Sequence, residues 1–370
     1  MIKTQAVQSG GLPPTLSGVL SDTHDAKADL LAQDPPAVTP VMAAELAQQY
    51  YGIMGDVRPL SAEKDANFLI RLPNGEAALL KITNAVEDRA VTQMQTAALM
   101  HLAAVDPTLP VPRICASLNG NSSEVVRLAD GQDHVMRLMT FLDGTILSGA
   151  TPAPGLRYAL GAFLARVTLG LRGFFHPAAG HVLQWDIKQA ARLRPLLASV
   201  QDTTLRARLT ATLDRFETDI APRLMHLRAQ VVHNDYNPHN VLVDGPIGAR
   251  PVGLIDFGDM VHTPIACDLA VACSYQIGEG AAPLEGMCRL ISGYHSLIPL
   301  EPAEIDLLPD LVRLRQTTTL AIGAWRAQRY PDNAAYILRN AAASLRGMDA
   351  LDRMGDAATR AALHTAAPSE

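Results

Sequence analysis

The sequence predicts an α+β fold, with a small antiparallel-sheet lobe followed by a larger, mainly helical lobe. Three observations support this. Between residues 57 and 142, short apolar segments alternate with turn residues, as strands do. Beyond residue 155, apolar positions recur at helical spacing. Between Val231 and Met260, two short apolar strands each adjoin a cluster of polar side chains, and the rest of the chain is organised around this stretch.

The two polar clusters carry residues suited to phosphoryl transfer. The first contains His233, Asp235 and Asn240, and the second contains Asp256 and Asp259. Phosphoryl transfer needs a carboxylate that accepts the proton of the attacking hydroxyl, and oxygen ligands that hold Mg²⁺ against the nucleotide phosphates. An H-x-D-x4-N run followed by D-F-G supplies both in kinase-type folds. Asn, Asp and Pro also favour ordinary turns, but both motifs in this order indicate a kinase site.

Two details narrow the class further. Asn234 stands where protein kinases have the Arg of H-R-D, and Asp259 follows Phe-Gly. In these details the chain resembles the aminoglycoside phosphotransferase and choline kinase group. This resemblance implies a bilobal protein-kinase-like fold and an enzyme that phosphorylates an alcohol group of a small molecule.

Length and composition are compatible with such an enzyme. The chain has 370 residues, enough for two lobes, and its formal charge of −6 argues against a nucleic-acid partner. No apolar run approaches the about eighteen residues of a membrane span, and the N-terminus lacks a secretory pattern. We therefore expect a cytoplasmic protein without a membrane partner, and the oligomeric state stays open. The four cysteines lack C-x-x-C spacing, which predicts buried free thiols.

Composition and periodicity divide the chain into four parts: a tail (1–37), a nucleotide-binding lobe (38–142), a helical lobe with the catalytic loop and metal site (143–357), and a second tail (358–370). The first tail is rich in Gly, Pro, Ser and Asp. Thr39-Pro40 then predicts the cap and first turn of a helix that runs to about Tyr51.

The nucleotide-binding lobe begins with three strand-like segments, residues 57–60, 67–72 and 76–82. Pro73-Asn74-Gly75 predicts a hairpin between the last two. The connection over 61–66 occupies the place of the phosphate-covering loop of kinases, but it contains no glycine. Its backbone amides and the Ser61 hydroxyl are candidates for contacts to phosphate oxygens.

Lys81 lies among aliphatic residues near the end of the third segment. A lone lysine in this setting is more often a snorkelling side chain than a ligand. Because a long helix follows over 88–104 and the two motifs lie downstream, Lys81 matches the kinase lysine that holds nucleotide phosphates. The helix lacks the Glu that orients this lysine in kinases. Gln95 is the best-placed polar residue, since Glu87 precedes the helix.

Three more strand-like segments complete the lobe, residues 113–118, 123–128 and 134–142. In the kinase layout the last of them becomes the hinge, whose backbone would pair with the nucleotide base around Met139, Thr140 and Phe141. Gly144 marks the crossing to the helical lobe. The helices expected there cover residues 155–171, 187–198, 203–227, 264–277, 282–297, 302–328 and 333–352. Thr263-Pro264 should cap the fourth of these, in which Asp268 is a lone charge.

Several stretches of the second lobe narrow the resemblance to the hydroxylysine kinase branch, to which homoserine-kinase-like names are also attached. They are Trp185-Asp186-Ile187-Lys188, the residues from Asp256 to Pro264, Asp268-Leu269-Ala270-Val271-Ala272, Ala324-Trp325-Arg326 and Pro331-Asp332-Asn333. The similarity covers about residues 40–350.

Carried over position by position, this resemblance assigns roles at the reacting centre. Asp235 would orient or deprotonate the acceptor hydroxyl, and Asn240 and Asp256 would coordinate Mg²⁺. His233 would brace the catalytic loop. Asp259 would brace it too, with the metal or the substrate as alternatives. Lys81 would hold the α- and β-phosphates of the donor, ATP or GTP.

The resemblance also places Trp185, Asp186, Trp325 and Arg326 near the acceptor. A cationic amine is bound by a carboxylate or an aromatic face, and a substrate carboxylate by an arginine. A Trp-Asp pair at a helix start is equally well an N-cap beside a core aromatic residue.

Three functions compete on this sequence. The preferred one is a kinase of a hydroxylated amino acid or amino alcohol. The second is a kinase of another acceptor, such as an aminoglycoside, choline or a sugar amine. The third is a catalytically inactive nucleotide-binding module, which the catalytic motifs disfavour and which the missing glycines and helix Glu keep open.

Overall fold

The computed structural model describes residues 35–62 and 64–368 and shows the predicted α+β fold, a sheet lobe followed by a mainly helical lobe. The first helix, α1 (Pro40–Tyr51), begins as its sequence predicts. The Met42 N–H donates to the Thr39 hydroxyl (3.2 Å), and Pro40 occupies the first turn, where no N–H partner is needed. The predicted cap is confirmed.

A six-stranded antiparallel sheet forms the first lobe. Its strands are β1 (Asp56–Leu60), β2 (Ala66–Arg71), β3 (Ala77–Ile82), β4 (Ile114–Cys115), β5 (Glu124–Arg127) and β6 (Asp133–Thr140). Their order is β1-β2-β3-β6-β4, with β5 also paired to β6. The predicted strand 113–118 shrinks to two residues, because the Ser117 and Leu118 N–H groups donate to Asn121 and Tyr50 instead of a strand.

Helix α2 (Arg89–Val105) joins the two lobes through packing. The Asp88 side chain caps its first turn by accepting the Ala90 N–H. Its buried residues, among them Met94 and Leu102, belong to the same apolar cluster as the core of the helical lobe. The sheet has a separate, smaller core around Phe68 and Leu80. The helix predicted to belong to the sheet lobe therefore anchors that lobe to the other one.

The chain crosses between the lobes at Gly144. Its φ of 155° and the close approach of Leu242 leave little room for a side chain, since a Cβ there would lie 3.0 Å from the Leu242 Cβ. Directly afterwards β7 (Thr145–Ile146) pairs with a strand of the catalytic region. The crossing thus fixes the first segment of the helical lobe against the site.

The helical lobe contains nine α-helices among the described residues. They are α3 (Leu156–Gly170), α4 (Thr203–Arg215), α5 (Ala221–Leu224), α6 (Ile265–Ser274), α7 (Glu285–His295), α8 (Pro302–Arg329), α9 (Ala334–Ile337), α10 (Ala341–Met354) and α11 (Asp356–Ala366).

Three predicted helices differ from the structure. Residues Ile187–Ser199 form successive 3₁₀ turns, with Pro195, which lacks an N–H, inside them. The long helix predicted over 203–227 passes through one π turn at Phe216–Ile220 and ends at Leu224. The helix predicted over 333–352 is interrupted after Ile337.

Short strand pairs surround the motif region. They are formed by β8 (Thr151–Pro152), β9 (Ala229–Val232), β10 (Val241–Val243), β11 (Ile247–Gly248), β12 (Pro251–Leu254) and β13 (Val261–Pro264). Strand β10 pairs with both β7 and β12, and β13 pairs with β9. Thr263 therefore lies in a strand, and the prediction that it caps α6 is wrong. Its hydroxyl donates to Asp186 instead (2.9 Å).

The structure describes the two predicted tails to different extents. The predicted tail over 1–37 lies almost wholly outside the described residues. Most of the predicted tail over 358–370 is helix α11, because Leu363 and Thr359 are fully buried against the helical lobe. None of the described helices is long and apolar enough to cross a membrane. All four cysteines are free thiols, and Cys267 and Cys273 are buried as predicted.

Candidate active site

The loop between β9 and β10 presents the Asp235 carboxylate with both oxygens held. Arg315 Nη2 donates to Oδ1 (3.1 Å), and Asn240 Nδ2 donates to Oδ2 (2.7 Å). The same amide donates to the Asp235 carbonyl oxygen (3.0 Å). The Asp235 side chain remains 19% exposed, so a small molecule can reach it. A residue that accepts a hydrogen bond or proton from a substrate hydroxyl must be held in place and must be accessible, and Asp235 meets both conditions.

Asp268 supports the backbone of this loop from helix α6. Asn234 has a positive φ of 64°, a conformation that Asn adopts more readily than most residues. Its N–H donates to the buried Asp268 Oδ1 (2.8 Å). Burial raises the pKa of Asp268 to about 7, although hydrogen bonds from the loop backbone oppose the shift. The lone charge that the sequence showed in α6 is therefore an acceptor beneath the catalytic loop.

His233 connects this loop to the D-F-G segment. Its Nδ1 accepts the Asp235 N–H (3.2 Å), and its Nε2 donates to the Ile255 carbonyl (3.2 Å). The ring meets Phe257 edge-on with centroids 4.8 Å apart. Burial lowers the pKa of His233, which favours the neutral form that these two contacts require. These contacts suit the bracing role expected from the sequence.

Asn240 and Asp256 lie side by side at the ends of β10 and β12. The Ile255 N–H, one residue before Asp256, donates to the Asn240 carbonyl (2.9 Å). Since the Asn240 amide nitrogen faces Asp235, its side-chain oxygen points away from that carboxylate. Asp256 is exposed, and its Oδ1 accepts the Gly258 N–H (3.2 Å). An amide oxygen beside a carboxylate is a donor set that fits Mg²⁺.

This pair is small for a metal site. Across residues 35–62 and 64–368, no group of three or more His, Cys, Asp or Glu side chains could hold a metal ion. Mg²⁺ sites of phosphoryl-transfer enzymes commonly use one or two carboxylates and complete their coordination with phosphate oxygens and water. The site fits a metal that arrives with a nucleotide.

Asp259 lies in the turn after the D-F-G segment, among like charges. Burial, the Asp235 carboxylate and the Asp256 carboxylate raise its pKa to about 7, while Lys64 opposes the shift. Lys64 comes from the loop between β1 and β2, where it also pairs with Glu87 (2.8 Å). Asp259 therefore marks the point where the loop of the sheet lobe approaches the carboxylates of the helical lobe.

Asp65 is the partner of Lys81. Lys81 Nζ lies 2.8 Å from Asp65 Oδ2, and Asp65 Oδ1 accepts the Asn84 N–H (3.1 Å). Burial disfavours the Asp65 charge, but the ammonium groups of Lys81 and Lys64 outweigh it and hold the pKa of Asp65 below its ordinary value. The orienting carboxylate comes from the loop before β2, whereas kinases usually take it from the helix.

Gln95, the best-placed polar residue that the sequence offered as a partner of Lys81, has other contacts in the structure. Its Nε2 donates to the Gly258 carbonyl (3.1 Å), and its Oε1 accepts from Arg137 (3.3 Å). Helix α2 therefore contacts the D-F-G segment through the neutral Gln95 side chain. The register of the predicted hairpin held the missed signal. Asn67 lies opposite Lys81. Side chains two residues apart in an extended strand point to the same face, so Asp65 lies on the same face of the sheet as Lys81.

Replacing Asp65 by Asn should loosen Lys81. Loss of one charged hydrogen bond is worth about 1.5–3 kcal/mol, so we expect the KM for the nucleotide to rise by about tenfold or more. Steady-state kinetics over a nucleotide series measure this. Glu87→Gln is the matched control, because it removes the Lys64 ion pair from the same loop. An equal rise in both variants would mean that loop anchoring, and not the orientation of Lys81, matters.

The other residues predicted to contact the nucleotide are Ser61, Met139, Thr140 and Phe141, and the structure places them as follows. Ser61 is exposed at the start of the loop. Met139 is buried in β6 opposite Leu79. The N–H groups of Thr140 and Phe141 donate to Arg113 (2.9 Å) and Ala77 (3.1 Å). Since these two donors are used within the sheet lobe, we expect a nucleotide base to pair with backbone groups beyond Phe141.

The residues expected near the acceptor have two different positions. Asp186 is 1% exposed and caps the 3₁₀ segment by accepting the Lys188 N–H (3.0 Å), which is the alternative that the sequence left open. It presents no surface to a ligand. Trp185 lies next to the centre, because its carbonyl accepts from Arg315 (3.4 Å) and its ring lies 5.0 Å from the guanidinium carbon.

Trp325 and Arg326 lie further along helix α8 than Arg315. Eleven residues of α-helix span about 16 Å and return to within about 20° of the same side. Arg326 therefore lies on the Arg315 side of the helix, three turns away, and is 9% exposed. Trp325, half-buried against the main core, faces another side. Contact with an acceptor at Asp235 would need a ligand that extends along α8.

Sequence reasoning missed Arg315 as well as Asp65. Arg315 lies within a long helix, and nothing in its local pattern connects it with Asp235, eighty positions earlier. Arg315 follows the apolar residues Leu311, Val312 and Leu314 in α8, but this pattern does not identify a partner.

Comparisons with known proteins show the family of this chain. A family model described as "Phosphotransferase enzyme family" matches residues 56–300, and the chain belongs to this family. It is thus a phosphotransferase with an alcohol group as acceptor.

Individual proteins that resemble this chain are kinases of small molecules. Hydroxylysine kinase of Mus musculus is 25% identical over 350 residues, which cover 88% of this chain and 93% of that protein. Among solved structures, a microcompartment-associated aminopropanol kinase has a TM-score of 0.60 at 20% identity, covering 82% of this chain and 95% of that one. The amicoumacin kinase hAmiN, in complex with AMP-PNP, Ca²⁺ and Ami, has a TM-score of 0.59 at 15% identity, with 85% and 94% covered. The resemblance and the fold class predicted from the sequence are confirmed.

Proposed function

We propose that this enzyme transfers the γ-phosphate of ATP or GTP, with Mg²⁺, to a hydroxyl of a small amino acid or amino alcohol, hydroxylysine-like or homoserine-like. One observation carries the proposal. An accessible Asp235 carboxylate is fixed at both oxygens beside the Asn240 and Asp256 pair. The chain also aligns over 88% of its length with a protein named hydroxylysine kinase.

Asp235 would accept a hydrogen bond from the acceptor hydroxyl and orient its oxygen toward the γ-phosphate. Asn240 fixes the carboxylate from one side, so the side chain presents one defined lone-pair direction to the acceptor. His233 and Asp268 hold the backbone on which Asp235 stands. Positioning of this kind is the main contribution that a protein makes to a loose phosphoryl-transfer transition state.

On the donor side, Asn240 and Asp256 would hold Mg²⁺, and Lys81 would hold the α- and β-phosphates. A bound Mg²⁺ would supply positive charge against the phosphate oxygens. Asp65 keeps the Lys81 ammonium in place through its ion pair. The phosphate-covering loop needs no glycine for this arrangement, because its contribution is a carboxylate that orients the lysine.

The charges around Asp235 suit an acceptor with an amino group. The Asp235 and Asp256 carboxylates lie close enough to Asp259 to raise its pKa, and the Trp185 ring adjoins Asp235 through Arg315. Carboxylates and aromatic faces both attract an ammonium group. Arg326 and Trp325 remain candidates for the far end of the acceptor, but they lie about three helical turns beyond Arg315, so only an acceptor that extends along α8 would meet both Asp235 and Arg326. An amino acid offers both charges, whereas choline offers only one.

A panel of acceptors tests this proposal. Release of nucleoside diphosphate is followed with Mg²⁺ and either ATP or GTP, in the presence of hydroxylysine, homoserine, aminopropanol, choline or an aminoglycoside. We expect the largest kcat/KM with a hydroxylated amino acid. Preference for choline or an aminoglycoside would overturn the acceptor class while leaving the phosphotransferase intact. Comparing homoserine with its decarboxylated analogue isolates the part played by the carboxylate.

A further inference from the structure

We infer that Arg315 is a positioning residue, which fixes the Asp235 carboxylate and does not itself bind the acceptor. The inference rests on the proposed function. It concerns a residue eighty positions away from Asp235 in the chain, in helix α8, which the catalytic motifs do not include.

The contacts of the Arg315 guanidinium are all inside the protein. Nη2 donates to Asp235 Oδ1 (3.1 Å), and Nη1 donates to the Trp185 carbonyl (3.4 Å). Nε is buried without a hydrogen-bond partner in the described part of the chain. The residue is 3% exposed. So small an exposed surface leaves little room for the acceptor to reach the guanidinium, which argues against direct contact.

The Trp185 ring restricts the guanidinium further. The guanidinium carbon lies 5.0 Å from the ring centroid, close enough for a cation–π contact. A planar guanidinium held by the Trp185 ring and carbonyl has its direction set before it meets Asp235. The Trp185 role that follows is support of Arg315, a more specific role than contact with the substrate.

Two donors on opposite oxygens remove the rotational freedom of the Asp235 carboxylate. Arg315 holds Oδ1 and Asn240 holds Oδ2. Without Arg315, only Asn240 would remain, and the carboxylate could turn about its terminal bond. A misplacement of about 1 Å at a reacting group can cost about 10²-fold in rate. Loss of Arg315 should therefore appear in kcat rather than in binding.

The test compares Arg315→Met and Arg315→Lys with a matched control, Arg313→Met. Arg313 lies on the same helix and pairs with Asp352 and Asp356, away from Asp235. For Arg315→Met we expect kcat to fall by about 10²-fold. The KM for the acceptor and the Kd for Mg–nucleotide should change by less than about threefold, the behaviour expected when ground-state binding is retained. Arg315→Lys should recover part of the loss, and Arg313→Met should keep wild-type kcat.

A double-mutant cycle with Asp235→Asn separates positioning from a general structural role. If Arg315 acts through Asp235, Arg315→Met should change the residual kcat of Asp235→Asn by less than about threefold. A full additional loss of about 10²-fold would overturn the inference. So would a raised acceptor KM with unchanged kcat, since that would mean direct contact with the acceptor.

Crystal structures of Arg315→Lys and Arg315→Met decide the question independently of the acceptor. We expect the Asp235 carboxylate to rotate in Arg315→Met and, to a smaller extent, in Arg315→Lys, while His233 and Asn234 stay in place in both. An unmoved carboxylate would overturn the inference. If wild-type enzyme turns over no acceptor of the panel, the proposed function fails, but these structures still decide the role of Arg315. Should Arg315→Met not fold, Arg315→Lys alone carries the comparison.

Discussion

Replacement of Asp235 by Asn should lower turnover by about 10²–10⁴-fold, the contribution typical of a positioned acid–base group. The amide has a single acceptor oxygen, so it cannot receive both the Arg315 and the Asn240 donors that the carboxylate holds. One of those N–H groups would face the new NH₂ group. The Mg–nucleotide complex should still bind, because its candidate contacts are Lys81, Asn240 and Asp256.

The measurement is kcat at saturating acceptor, together with the Kd for Mg–nucleotide by calorimetry. Asp214→Asn is the matched control, since Asp214 is also a carboxylate that pairs with an arginine through one oxygen (2.9 Å to Arg194) and is well exposed. Near-native turnover of Asp235→Asn would show that the assignment of the acceptor-side carboxylate is wrong.

Replacement of Asp256 by Asn should weaken both nucleotide binding and turnover. Asn tolerates the positive φ of 60° at this position, whereas Ala would add backbone strain to the loss of the ligand. Loss of a residue around a metal site typically lowers metal affinity by about 10–100-fold. Removal of the charged ligand Asp256 should lower the affinity for Mg–nucleotide by at least this much. Turnover should fall with it, and higher Mg²⁺ concentrations should restore part of the binding.

Calorimetric titration of Mg–nucleotide into the variant checks this expectation. Asp244→Asn is the control, because Asp244 follows the same strand β10 but its carboxylate accepts the Ala249 N–H at the surface. Unchanged nucleotide affinity in Asp256→Asn would place the metal elsewhere. The pattern also separates the two carboxylates, since loss of Asp235 should affect turnover alone.

Local pattern was enough for much of the sheet lobe. Thr39-Pro40 caps α1 through contacts within one turn, because the Thr39 hydroxyl accepts the Met42 N–H and Pro40 occupies the first helical position. The Pro73-Asn74-Gly75 turn fixed the pairing of β2 with β3 in the same way. The strand predicted over 113–118 was mostly wrong, because its hydrogen bonds depend on residues from other segments. Its backbone hydrogen bonds go to Tyr50 and Asn121, and the propensity of the segment carries no trace of the first partner.

In the candidate site, too, local spacing was informative and contacts between distant segments were not. Spacing within one segment identified Asp235, Asn240 and Asp256, because the kinase-type motif is itself local. Partners from other segments were missed or wrongly assigned. Gln95 was expected beside Lys81, but its amide bridges Gly258 and Arg137. Asp186 was a candidate substrate contact, but Thr263 and Lys188 enclose its carboxylate.

The sequence by itself determined the class of enzyme, since the residues that accept a hydroxyl and hold a metal must follow one another at short, fixed spacings around two strand ends. The tertiary structure alone decided how those residues are held. Asp65 reaches Lys81 across a sheet, and Arg315 reaches Asp235 from a distant helix. The register of the β2–β3 hairpin places Asp65 on the same side of the sheet as Lys81. Arg315 meets Asp235 only when helix α8 packs against the catalytic loop, so no spacing in the chain reveals that pair.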